Sequence, residues 1–103
     1  LVVLDEPVGG VVTVEAVAGG GSISAGTGFA LITSGDGASV GLPSIIGGSQ
    51  LKVKLSSSVG DVILTAATGQ LVEDATTIRL ESTGSAVSLV GETIVGTSTW
   101  WVI

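Results

Sequence analysis

A chain of 103 residues that is 45% hydrophobic, 12% charged and carries 17 glycines fits one compact domain, with no room for a separate catalytic or regulatory one. Such a composition excludes disorder, and the glycines lack the every-third-residue period of collagen. Nine acidic against three basic residues give a net charge of −6, which argues against nucleic acid or an anionic membrane as partner.

No apolar run approaches the roughly 18 to 20 residues of a membrane-spanning helix. Cysteine is absent, so disulfides, thiolate catalysis and thiolate metal sites are absent with it. The chain opens on Leu1 rather than Met, which suggests processing or a preceding segment. Leu1 to Pro7 reads as an arm that stands apart from the main body. The first strand is expected at Val12-Thr13-Val14-Glu15, with Val12 and Val14 inward by period-two alternation.

Gly28 to Thr33 follows the Gly19-Gly20-Gly21 turn and is apolar on both faces. Beyond Gly35-Asp36-Gly37 and Gly47-Gly48, the segment Gln50-Leu51-Lys52-Val53-Lys54-Leu55-Ser56 alternates cleanly, with Leu51, Val53 and Leu55 inward. Asp61 to Ala66 is again apolar on both faces. Thr77-Ile78-Arg79-Leu80-Glu81 alternates with Ile78 and Leu80 inward, and Ala86 to Val90 and Thr99 to Ile103 close the chain as two-faced apolar runs. Glycines fall between the runs, where turns need positive φ, and β-branched residues within the runs disfavour helix. The count is eight or nine short strands at the spacing of a sandwich or barrel. Val12, Val14, Leu31, Leu51, Val53, Leu55, Val62, Leu64, Ile78, Leu80, Val87 and Leu89 are the expected core. A strand apolar on both faces needs two covers, and in so short a chain the second is expected from another subunit.

Catalysis finds little to work with, because His, Cys and Tyr are absent and only carboxylates remain as acids or bases beside two Lys and one Arg. Ser49-Gln50-Leu51-Lys52 matches an SxxK spacing, but on a strand positions three apart face opposite sides. The glycine clusters contain neither a Walker loop nor GxGxxG. Asp5-Glu6, Asp36 and Glu73-Asp74 lack the oxygen density of an EF-hand and read as solvated loop charge. No enzyme activity, cofactor or metal site is therefore expected. Lys52, Lys54 and Arg79 fall on outer strand faces, as edge protection or as partners in cross-subunit ion pairs. Trp100-Trp101 is the most informative pair, since neighbours on a strand point to opposite faces. Three readings stay open: a core Trp beside one covered by the chain's own loops, an intersubunit anchor, and a sugar platform, which opposite-facing rings serve badly. Trp100, Trp101, Lys52, Lys54 and Arg79 are the candidate interface residues.

From Phe29-Ala30-Leu31-Ile32-Thr33 through Ala38-Ser39-Val40-Gly41-Leu42-Pro43, Leu51 to Leu55, Asp61-Val62-Ile63-Leu64 and Ser85 to Val90 to the closing Trp100-Trp101-Val102-Ile103, the chain resembles the small Gly-rich β-modules of tailed-bacteriophage virions. Such modules occur in capsid decoration (cement) proteins and in tail fibres. The resemblance implies a β-sandwich or jelly-roll-like protomer, commonly trimeric, that clamps the major capsid protein on the outside of the virion. The expectation is therefore one all-β domain over 1–103, a small antiparallel jelly-roll-like β-sandwich with residues 1–17 as an arm plus first strand. Its expected function is capsid decoration as a homo-oligomer. A tail-fibre or baseplate module and a secreted carbohydrate-binding or adhesin domain are the alternatives.

Overall fold

The structure, a computed structural model, describes residues 13–45, 48–56, 59–94 and 96–103. Nine strands and no helix are found among them: β1 (Val14–Ala18), β2 (Phe29–Ser34), β3 (Ala38–Gly41), β4 (Gln50–Leu55), β5 (Val62–Thr65), β6 (Leu71–Val72), β7 (Thr77–Leu80), β8 (Ala86–Ile94) and β9 (Thr97–Val102). They form a six-stranded sheet in the order β1-β2-β4-β8-β9-β6 and a three-stranded sheet in the order β3-β5-β7. The all-β class and the strand number match the expectation.

The pairing differs from the antiparallel, jelly-roll-like arrangement. β1–β2, β2–β4, β3–β5 and β6–β9 are parallel, and only β4–β8, β5–β7 and β8–β9 are antiparallel. Alternation within a strand reports which side is buried but carries no information about the direction of its neighbour. Parallel neighbours need a long crossover, and here each crossover runs through the opposite sheet. The chain passes from β1 to a bridge at Ser22, then β2 to β3 and β4 to β5, with Ser22 paired parallel to Gly41. Three coils are thus stacked in register before β7, β8 and β9 turn back and close the stack with antiparallel pairs.

Stacking coils this closely requires glycine at the corners. Gly19 follows β1 and Gly35 follows β2, and a Cβ on Gly19 would lie 2.6 Å from the Gly35 Cα. Gly35 also has φ +97, a region that L side chains avoid.

The core lies between the sheets. Ile32, Leu51, Val53, Leu55, Leu89 and Trp100 from the larger sheet meet Val40, Val62, Leu64 and Leu80 from the smaller. Most of the expected core is found there, with Ile78 and Val87 half-buried against it. Val14 is a correction: it is 65% exposed, and Val17 takes the buried position on β1. The reason is Glu15, which is in register with the buried Ala30 and whose carboxylate accepts the Ser24 N–H, the Ser24 Oγ and the Thr27 Oγ1. That polar plug occupies the inward parity and turns Val14 out. Leu31 is likewise half-buried on the outer side. Val12 lies outside the described residues, as do the expected arm Leu1 to Pro7 and the acidic pair Asp5-Glu6.

Candidate interaction face

The six-stranded sheet has an outer face that the second sheet does not cover. Register places Val14, Phe29, Lys52 and Ser88 side by side on β1, β2, β4 and β8. Ile103 continues the row, because its N–H donates to the Ser88 carbonyl at 2.9 Å. A second row runs Ala16, Leu31, Lys54 and Ala86, and Val90 lies beside Trp101. Since successive residues alternate sides, all of these point away from the core that Leu51, Val53 and Leu55 enter. Apolar side chains lie on both sides of β4, whose own outward positions are Gln50, Lys52 and Lys54: Val14 and Ile103 are 65% and 69% exposed, while Phe29, Leu31, Val90 and Trp101 are half-buried.

The two tryptophans separate as strand geometry requires. Trp100 is buried in the core, and its Nε1–H donates to the Pro43 carbonyl at 3.2 Å. Trp101 lies on the outer face, where its Nε1–H donates to Glu92 Oε1 at 2.9 Å. The indoles therefore share no platform. Trp100 is placed in the core, while Trp101, Lys52 and Lys54 come together on one surface.

Arg79 stands apart from that group. It sits on β7 of the smaller sheet, 3.7 Å from Asp61 Oδ2, with both side chains partly open to water, so the pair contributes little. Lys54 donates to the Gly84 carbonyl at 2.7 Å.

Several of the acidic side chains make local contacts. Asp36 Oδ1 accepts the Gly60 N–H at 2.7 Å. Glu73 adopts φ 51 and Asp74 φ 68, a costly conformation for residues with a Cβ. It is held by the Glu73 N–H donating to the Trp100 carbonyl and by the Val102 N–H donating to Glu73 Oε2. These contacts tie the β6 turn to β9. Among the described residues no group of three or more acidic side chains is arranged to hold a metal. Glu15 has its pKa lowered by the Ser24 N–H first and then by the Ser24 hydroxyl; burial opposes them, and the Thr27 hydroxyl adds the smallest lowering effect.

Phe29 and Ile103 were not among the residues singled out by sequence, although Gly28 to Thr33 and Thr99 to Ile103 are the runs apolar on both faces. Their signal is the second apolar face itself. No protein-family model, curated protein or solved structure matches the chain.

Proposed function

We propose that this chain is a non-catalytic structural module that works by laying the outer face of its six-stranded sheet against another protein surface. In a virion it is a capsid decoration protein, binding the outside of the capsid as a homo-oligomer, commonly a trimer, with the major capsid protein as partner. The observation that carries the reading is the outer face of the six-stranded sheet, left uncovered by the described residues, which bears Val14, Phe29, Leu31, Val90, Trp101 and Ile103. Exposed apolar side chains gathered on one side of a small domain suit a contact site, and a half-buried Trp among them is a suitable anchor. The lack of His, Cys and Tyr supports a role without turnover.

Light scattering on the isolated chain and co-sedimentation with expanded capsids test the proposal. It expects an oligomer that binds assembled capsids more tightly than free capsid subunits, with binding weakened by Trp101→Ala. A monomer that ignores capsids would sink it.

A tail-fibre or baseplate module is the second reading, and the stacked parallel coils favour it. Among the described strands β1 is at the edge of the six-stranded sheet, so a further parallel strand can extend the stack there by main-chain hydrogen bonds. Under that reading the isolated domain ignores capsids and instead associates along the β1 edge.

A further inference from the structure

On the uncovered face lies a groove of about 700 Å³ lined by Val14, Phe29, Lys52, Ser88 and Ile103 among others. These five form the single row that crosses β1, β2, β4, β8 and the end of β9. Four inter-strand steps make the row about 19 Å long, the length of roughly six residues of extended chain. Its two ends are apolar, with Val14 and Phe29 on one side and Ile103 on the other. Lys52 stands at its centre.

That lysine differs from the other two cations. Arg79 is beside Asp61 and Lys54 is bonded to the Gly84 carbonyl, which leaves Lys52 as the basic side chain without a partner among the described residues. Covering an ammonium group with apolar surface is costly unless a counter-charge comes with the cover. Whatever closes this groove must therefore bring a carboxylate to the middle of the row and aliphatic groups to its ends. Two copies meeting about a two-fold axis through the centre of the row would set their Lys52 side chains against each other and supply no counter-charge there.

We infer that the groove binds an extended segment of a partner protein in which one Asp or Glu is flanked by aliphatic side chains. The carboxylate lies on Lys52 Nζ, and the flanking side chains rest on Phe29 and Ile103. The inference rests on the contact-face reading above and narrows the chemistry of the partner.

The probes are two blocked peptides, Val-Leu-Asp-Leu-Val and Val-Leu-Asn-Leu-Val, titrated into the isotope-labelled full chain while amide resonances are followed by NMR. The Asp peptide is expected to move the amides of Val14, Phe29, Ser88 and Ile103. The Asn peptide should bind about tenfold more weakly, the loss of one charge-assisted contact. Lys52→Met should erase the preference and Lys52→Arg should keep it. If the Met variant does not fold, raised salt applied to the unaltered chain must remove the same preference. Equal binding of the two peptides, or shifts away from the row, would overturn the inference. So would binding seen only after residues 1–12 are removed, which would make the chain's own leading segment the occupant. A Lys52→Met chain that loses the Asp preference, yet still oligomerises and sediments with capsids, leaves the contact face intact and locates the charge recognition at Lys52. If neither peptide binds while capsid binding persists, only the inference falls.

Discussion

The outer faces of the two sheets are built from the same alternating pattern and end in opposite surfaces. On the three-stranded sheet the outward row Ser39, Ile63 and Arg79 sets one aliphatic side chain between polar ones. Ser39 and Thr65 hydroxyls share a hydrogen bond of 2.7 Å, and Arg79 reaches Asp61. That face is finished for water. On the six-stranded sheet the outward positions hold Val14, Phe29, Leu31, Val90, Trp101 and Ile103, with Lys52 and Lys54 as the cations among them. Hydrophobicity alone is therefore not the signal of a contact face in so apolar a chain. The signal is apolar residues on the side of a sheet that the described residues leave uncovered.

The comparison breaks if the interior shared by both sheets is not where the stability lies, and Trp100 tests that most severely. Trp100→Ala removes a buried indole and orphans the Pro43 carbonyl, so it should cost about 3 to 5 kcal/mol in a urea titration. Unfolding of the isolated domain is an acceptable outcome. A loss below about 1 kcal/mol, within the range of ordinary surface substitutions, would mean that the two sheets do not share this core.

Gly35 tests the corner through which the chain passes from one sheet to the other. Gly35→Ala combines a positive φ with a Cβ 2.6 Å from the Gly19 Cα, and about 3 kcal/mol of destabilisation is expected. Gly20→Ala, with φ +87 and open space around the new Cβ, should cost about 1 kcal/mol. Equal losses would show that the coils are not packed backbone against backbone at that corner.

The sharpest test sets one residue from each outer face side by side. Trp101→Ala and Arg79→Met should each change the stability of the dissociated chain by about 1 kcal/mol or less. Only the Trp101 change should weaken association, by about 2 kcal/mol at the contact. If both variants associate like the parent, the apolar face is not the one that is used.

Much of the fold is legible in the sequence because period-two alternation is a direct record of burial. β4, with Leu51, Val53 and Leu55 buried between Lys52 and Lys54, is the plainest case. The separation of Trp100 from Trp101 is legible for the same reason, although which of them faces the core is not. Strand direction is not legible at all: β2 and β4 lie parallel because the connection between them crosses the other sheet through β3, a long-range choice with no local signature. β6 escapes notice because two residues are too short to show a period. From the sequence Val14 reads as inward, because the charged Glu15 next to it looks like the exposed partner. Only the turn at Ser24 and Thr27 reveals that Glu15 is the inward one. Lys52 is visible as an outward lysine, but its place at the centre of an apolar row depends on which strands flank β4.

Glu15 gives the smallest effect and bears on how the edge of the six-stranded sheet is closed. Its carboxylate is held at 2.8 Å by the Ser24 N–H and at 3.0 Å by the hydroxyls of Ser24 and Thr27. These bonds favour the ionised form and lower its pKa below the usual 4.5. A lowered pKa in the folded state means that the unfolded chain takes up the proton first as the pH falls. The contribution to stability is therefore fully present above the unfolded value and is lost as the pH drops through the folded one. Glu15→Gln keeps one acceptor oxygen but cannot reproduce the charge or the second acceptor, so the variant should be less stable than the parent near neutrality. The gap in unfolding midpoint should begin to close as the pH falls through the unfolded value near 4.5 and go on closing as it drops through the lower folded one, and the side chain's exposure should keep it modest. A gap that stays constant across that range would show that the carboxylate acts there by shape alone, leaving the inward parity of β1 to be explained by Val17 rather than by the charge at Glu15.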